Sequence, residues 1–195
     1  MNLKKNLTIT ETFALAVLNH KKSNLKIAEK LYVKALKINP NYFDAYNNLG
    51  ILHNQLGEYR KAMSCFEKAV KIEPKNAGAQ NNLGFVFKEL GEYLKAKSCY
   101  DKAIQIQPNA AAYNNLGFIL KELGEYQQSI ISYKRAIKIN PKNDAAHYNL
   151  ANTLKELGEY KKAINCYNNA IEINPKNDAA HFNLANTFKK LGEYK

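Results

Sequence analysis

Residues 80–108 read QNNLGFVFKELGEYLKAKSCYDKAIQIQP, and this stretch decides the fold. From Leu83 the apolar residues fall at Leu83, Val86, Phe87 and Leu90, the i, i+3, i+4, i+7 spacing of one helix face. Gly91 follows, suited to the left-handed residue that closes a helix. Glu92 is expected in the first turn of a second helix, where its charge complements exposed N–H groups. That helix carries Tyr93, Ala96, Tyr100, Ala103 and Ile104 on one face. Pro108 ends it, because proline disfavours helical geometry at Gln107 before it. The small Gly84, Ala96 and Ala103 let the two helices approach, with Leu83 and Tyr100 filling the gaps. The stretch reads as helix, tight turn, helix.

The same unit recurs along the chain. Leu-Gly-Glu-Tyr occurs at 56–59, 90–93, 123–126, 157–160 and 191–194, in steps of 34, 33, 34 and 34 residues. Proline keeps the rhythm at Pro40, Pro74, Pro108, Pro141 and Pro175, and Asn-Leu followed by Gly or Ala begins at Asn48, Asn82, Asn115, Asn149 and Asn183. One helix pair cannot bury both of its faces, so each must stack on the next and the array becomes a solenoid. The step of 33 loses its residue within Asn109-Ala110-Ala111-Ala112, a turn between units, where a small change of pitch is expected.

A 34-residue helix–turn–helix period with this punctuation resembles the tetratricopeptide repeat (TPR) family. Its pattern is matched in the first full repeat by Tyr46, Leu49, Gly50, His53, Ala62, Phe66, Ala69 and Pro74. His53 in an aromatic slot, Gln80 at position 4 and Ser129 in place of alanine are departures. The resemblance implies an all-α, right-handed superhelical solenoid of antiparallel helix pairs, with about eleven helices. The organisation expected is an N-terminal tail (1–8), a degenerate capping repeat (9–42), full repeats at 43–76, 77–109, 110–143 and 144–177, and a half repeat (178–195). In the cap, Leu15, Ala16, Ala28, Tyr32, Ala35 and Pro40 hold the frame, while Thr12 and Asn19 replace aromatics. In the half repeat, Leu184, Phe188 and Leu191 are expected to form a bare apolar strip, as in a fragment of a longer protein. Self-association through that unpaired C-terminal helix is one expectation.

In this family the first helix of each unit lines a concave groove. Position 6 there is asparagine in all five units, Asn48, Asn82, Asn115, Asn149 and Asn183, although asparagine is a poor helix former. An amide can donate to a carbonyl and accept from an N–H, matching a peptide backbone. Neighbouring first helices about 10 Å apart would place such amides about three extended residues apart. Asn-Leu-Ala-Asn at 149–152 and 183–186 is similar to the superhelix of O-linked N-acetylglucosamine transferases, where such a ladder contacts the substrate backbone. The other reading is that these amides bond to neighbouring repeats; both can hold at once. Around them stand Asn81, Asn114, Asn152 and Asn186 with Phe85 and Phe118, a mixture of amides and aromatics. Position 12 supplies Lys88, Lys121, Lys155 and Lys189, and position 13 supplies Glu89, Glu122 and Glu156. The lysine row admits two readings, an acidic or C-terminal-carboxylate ligand, or alternating charge for solubility. The residues of the family's carboxylate clamp are absent apart from the position 6 asparagine, so chaperone tails are not the expected ligand.

The net charge is +12, which brings nucleic acid, an acidic partner or a solvated lysine surface into view. Many of the basic residues fall at outward or turn positions: Arg60, Lys61, Lys95, Lys161 and Lys162 on second helices, and Lys75, Lys142 and Lys176 in turns. No base-stacking pattern accompanies them, so nucleic acid is not an expected partner. No apolar run approaches the roughly 18 residues of a membrane span, so no membrane partner and a cytoplasmic location are expected. Cys65, Cys99 and Cys166 stand one per repeat, with neither disulfide nor zinc spacing. The four histidines are isolated, and His147 and His181 occupy a packing slot. No catalytic residue, metal ligand or cofactor is assigned.

The function expected from these residues is a non-enzymatic protein-interaction scaffold that holds an extended peptide in its groove. Two alternatives stand beside it: the substrate-recognition region of a larger enzyme such as a glycosyltransferase, and a self-assembling solenoid.

Overall fold

A computed structural model describes residues 7–192, and among them are eleven α-helices and no strand. The chain forms two compact units, residues 1–92 and residues 93–195.

The first unit holds α1 (Ile9–Lys21), α2 (Leu25–Ile38), α3 (Phe43–Gln55), α4 (Tyr59–Ile72) and α5 (Ala77–Glu89). Each helix packs on the next in chain order, and α1 and α5 also touch α3. Thr8 caps α1 through a reciprocal capping box: its hydroxyl accepts from the Glu11 N–H, and the Glu11 carboxylate accepts from the Thr8 N–H at 2.8 Å. The core gathers Ala16, Ala28, Tyr32, Leu49, Leu52 and Cys65, with Phe13 and Val17 packed against it.

The second unit holds α6 (Tyr93–Ile106), α7 (Ala110–Glu122), α8 (Tyr126–Ile139), α9 (Asp144–Glu156), α10 (Tyr160–Ile173) and α11 (Asp178–Leu191). Its core includes Ile130, Tyr133, Leu150, Leu154 and Tyr167. Leu184 packs against that core and, like Phe188 and Leu191, is half-buried. The expected bare strip is therefore covered in part, at Leu184. Among the described residues the exposed large hydrophobic side chain of α11 is Phe182, at 69%. Residues 1–6 and 193–195, which include most of the N-terminal tail and the end of the last Leu-Gly-Glu-Tyr, lie outside the described residues.

The turn within each pair closes by one device. After α3, the Gly57 N–H donates to Asn54 O and the Glu58 N–H donates to His53 O at 2.9 Å, with Gly57 at φ +71°. Glu92, Glu125 and Glu159 repeat the backward bond, to Phe87 O, Leu120 O and Leu154 O. This corrects the place expected for Glu92. Its N–H is used to close the first helix, so it precedes α6, which begins at Tyr93. The equivalent Glu58, Glu125 and Glu159 are N-cap residues without side-chain caps.

In the α3–α4 and α7–α8 pairs the close approach rests on glycine. A Cβ on Gly50 would stand 2.7 Å from the Phe66 ring, and one on Gly117 would stand 2.7 Å from the Tyr133 ring. Ser129, which departs from the family's alanine, is buried and donates its hydroxyl to Gly117 O at 2.7 Å.

Between pairs, Asn76, Asn109, Asn143 and Asn177 cap the following helices, accepting from the N–H groups of Ala79, Ala112, Ala146 and Ala180. Pro108 is followed directly by Asn109, whereas a lysine separates Pro74 from Asn76 and Pro141 from Asn143. The short repeat has thus lost its turn lysine and kept its cap.

Candidate functional site

The position 6 asparagines are all half-buried on their helices. In the first unit, Asn82 of α5 donates its amide to Asn47 Oδ1 of α3 at 3.2 Å. In the second, Asn149 of α9 donates to Asn114 Oδ1 of α7 at 3.1 Å, and Asn183 of α11 donates to the Tyr148 hydroxyl of α9 at 2.9 Å. Each bond runs from position 6 of one repeat to position 5 of the repeat before it, 35 residues upstream. Stacking brings the two positions together, and a position 5 side chain with an acceptor oxygen completes the rung.

Asn48 obeys the same rule by exception. Position 5 of the repeat before it is Phe13, whose ring has no acceptor and instead packs on Tyr32 and Tyr42. The Asn48 amide therefore turns back and donates to Asp44 O of its own helix at 2.8 Å.

The rungs differ in the amide capacity they leave. Asn82 and Asn149 each use one N–H, which leaves a second N–H and the carbonyl oxygen without a partner among the described residues. Asn183 also donates to Asn152 Oδ1 at 3.3 Å and accepts from Lys155 Nζ at 3.2 Å. Its amide is thus nearly saturated. Asn152 is held in turn by the Tyr167 hydroxyl at 2.6 Å, and Asn186 is exposed. Asn81, Asn115 and Phe118 sit half-buried on α5 and α7.

The lysine row is not uniform either. Lys88 pairs with Glu89 at 2.7 Å and stands over the Phe85 ring at 4.4 Å. Lys121 pairs with Glu156 at 3.2 Å and Glu122 at 3.3 Å. Burial opposes its charge, but these two carboxylates hold its pKa above the ordinary lysine value. Lys155 makes no ion pair among the described residues and donates to the neutral Asn183 oxygen at 3.2 Å. Partial burial, followed by repulsion from Lys190, pulls its pKa down. Lys189 is exposed.

A cleft of about 420 Å³ in the first unit is lined by Val17, His20, Lys21, Tyr32, Asn48 and Gln55, among others. His20 bridges it, with Nδ1 3.2 Å from the Tyr32 hydroxyl and Nε2 2.8 Å from Gln55 Oε1. Val17 and His20 occupy positions 9 and 12 of the capping repeat. The loose fit of that repeat to the family pattern marks it as a cap and hides them. Asn47 and Tyr148 fall at position 5, which the sequence places beside the ladder, and the structure makes them the acceptors for Asn82 and Asn183.

The remaining histidines are structural. His147 Nε2 meets Pro141 O at 3.1 Å and His181 Nε2 meets Pro175 O at 3.0 Å, tying each helix to the turn before it. His53 Nδ1 lies 2.6 Å from the Glu58 carboxylate. Among the described residues no group of three or more His, Cys, Asp or Glu is arranged to hold a metal ion, and no helix is long and apolar enough to cross a membrane.

Comparison with known proteins bears on the fold. Family models described as TPR repeat and tetratricopeptide repeat match residues 20–57, 119–158 and 151–192, and residues 43–76 and 77–109. No curated protein matches the chain by sequence. Among solved structures the chain is similar to PilW, a type IV pilus biogenesis factor, with TM-score 0.84, 23% identity, and 96% of this chain and 87% of that one covered. It is similar to MamA with TM-score 0.79, 24% identity, and coverage of 88% and 94%. A third likeness is to YrrB, described as a TPR protein with an unusual peptide-binding site, with TM-score 0.69, 22% identity, and coverage of 84% and 85%. At these identities the likeness shows the all-α fold of stacked helix pairs.

Proposed function

The chain belongs to the tetratricopeptide repeat family, and from that premise we propose that it is a protein-interaction scaffold that binds extended polypeptide segments along its first helices. The observation that carries the proposal is the amide capacity left at Asn82 and Asn149 after each has made its rung. A rung fixes the side chain's rotamer, so the remaining N–H and carbonyl oxygen are held in place before a ligand arrives. Binding then loses little side-chain entropy. The pair is suited to the N–H and C=O of a peptide backbone, which every sequence presents. The aromatic rings of Phe85 and Phe118 and the amides of Asn81, Asn114 and Asn115 would take part in side-chain selection. The fold likeness to a protein with a peptide-binding site is consistent with this role.

The ligand we propose is acidic opposite Lys155. Lys121 pairs with Glu122 and Glu156, and Lys88 pairs with Glu89, so a ligand carboxylate adds little there. Lys155 is a half-buried cation hydrogen-bonded to the Asn183 amide oxygen, where burial and the repulsion of Lys190 and Lys121 outweigh the attraction of Glu156. A carboxylate at that point would relieve its repulsion and satisfy its remaining donors. Asn186, exposed one turn further along α11, would supply a further polar contact.

The test is a pulldown from a displayed peptide library with the intact chain and with Asn82, Asn115 and Asn149 changed to alanine. Loss of recovered peptides, with helicity kept, is expected. Unchanged recovery would sink the ladder reading. A recovered pool without enrichment of Asp, Glu or free C-termini, or one indifferent to Lys155→Gln, would sink the acidic part alone.

A further inference from the structure

The exposed face of α2 differs from that of its counterpart α4 in the same unit. Lys26, Lys30, Lys34 and Lys37 recur at i, i+4, i+8 and i+11, which places them in one stripe along the helix. All four are exposed, and none forms an ion pair among the described residues. Glu29, the one acidic residue of α2, is half-buried and lies toward α4, where it adds to the pull of Glu58 on Lys61.

Beside the stripe stand Ile27, Val33 and Ile38, exposed to 52%, 39% and 51%. The face of α4 also carries basic residues, but in a different setting. Lys61 is paired with Glu58, Lys68 lies over the Tyr46 ring, Glu67 is interspersed, and none of its large apolar residues is exposed. The α4 face is an ordinary solvated surface, whereas α2 leaves both its charge and its aliphatic surface unmet.

We propose that the exposed face of α2 docks on an anionic lipid bilayer surface, with the lysines at the headgroups and Ile27, Val33 and Ile38 entering the acyl boundary. Charge alone would suit any polyanion. The aliphatic flank selects the bilayer, because nucleic acid and acidic polymers offer no apolar phase to receive it. The face has no arginine and no exposed aromatic ring, the groups that read phosphates bidentately or stack on bases. Lysine's flexible ammonium matches a fluid array of headgroups, where no fixed geometry is required. The expectation of no membrane partner rested on the lack of a spanning segment, and peripheral docking needs none. None of these residues belongs to the groove set, so a peptide and a bilayer could be held together.

The experiment is co-sedimentation of the full chain with vesicles of phosphatidylcholine alone or doped with phosphatidylglycerol. Binding is expected only with the anionic lipid, and it should weaken as salt is raised. Each lysine near an anionic leaflet is worth about fivefold in partition. Lys30→Glu with Lys34→Glu should therefore lower binding by about two to three orders of magnitude. Ile27→Ser with Ile38→Ser, at constant charge, should lower it by about tenfold. Arg60→Glu with Lys68→Glu on α4, an equal change of net charge, should leave binding within about fivefold. Should circular dichroism show that charge reversal disturbs the helix, Lys30→Gln with Lys34→Gln replaces it, with a loss of about 25-fold expected. Equal binding to neutral vesicles, or an equal loss from the α4 pair, would overturn the proposal. So would indifference to the isoleucine pair together with equally tight heparin binding, which would assign the face to a polyanion.

Discussion

Asn149 Nδ2 donates to Asn114 Oδ1 at 3.1 Å, joining two first helices through residues 35 apart in the chain. The bond gives a physical reason for a helix-disfavoured residue at position 6, and it couples stability to the proposed binding surface. A side chain already fixed by a neighbour presents its remaining amide groups at low entropic cost.

That coupling is measurable by urea unfolding of Asn114→Ala, Asn149→Ala and the double variant. The interaction energy from the cycle should be about 0.5–1.5 kcal/mol, the range for a neutral hydrogen bond. A cycle closing to zero would mean that the rung does not hold the helices. Phe13→Asn tests the rule from the other side. It supplies the acceptor that Asn48 lacks, at the cost of Phe13's packing on Tyr42. The expected outcome is a new upfield or downfield shift of the Asn48 side-chain amide pair by NMR.

Gly117→Ala should destabilise the fold by about 1–2 kcal/mol, because overpacking against Tyr133 outweighs alanine's better helix propensity. In a Tyr133→Leu background, where the ring is gone, the sign should reverse. Thermal melts of the four proteins check this, and equal effects in both backgrounds would show that the ring is not the obstacle.

Ser23 stands at φ +60°, in the place where Gly57, Gly124 and Gly158 close the other pairs. A side chain there is strained, so Ser23→Gly should stabilise by about 1 kcal/mol, and Gly124→Ala should cost about the same. Chemical denaturation midpoints report both.

Thr12 is fully buried and its hydroxyl has no partner among the described residues. Thr12→Val keeps the shape and removes a desolvated polar group, so a gain of about 1 kcal/mol is expected. A loss of stability on this change would indicate an ordered water at the hydroxyl.

Burial pushes the Cys65 thiol up to about 11, and the half-buried Cys166 is raised in the same direction for the same reason. At pH 8 only about one Cys65 in a thousand is a thiolate, so native-state labelling by a disulfide reagent should be slow. The rate should rise with pH toward 11 and jump on addition of urea. Fast labelling of Cys65 at neutral pH in the folded protein would contradict its placement.

Much of the architecture is legible in residue order because its determinants are local. The i, i+3, i+4, i+7 run from Leu83, the glycine at 91 and the proline at 108 each act within a few residues of themselves. The close approach at Gly50 and Gly117 is legible for a related reason: a small residue that recurs in step with a bulky ring leaves the space that ring fills. The place of Glu92 is not legible in this way. A charge near a helix start suggests the first turn, whereas its backbone N–H is already claimed by Phe87 O.

The candidate site is legible only in part. Sequence determined that five asparagines share one position, since a fixed period counts positions without coordinates. It could not determine that they differ. That difference depends on a residue 35 positions upstream, which only the stacking of repeats brings to 3.2 Å or less: Asn47 for Asn82 at 3.2 Å, Asn114 for Asn149 at 3.1 Å, the Tyr148 hydroxyl for Asn183 at 2.9 Å. The lysine row divides for the same reason. Lys121 reaches Glu156 of the next repeat, while Lys155 finds only an amide oxygen there. Period is a property of the chain, and a hydrogen bond's partner is a property of the packed helices. The first determined what kind of molecule this is, and the second decided which of its repeated amides and lysines are taken up by neighbouring repeats.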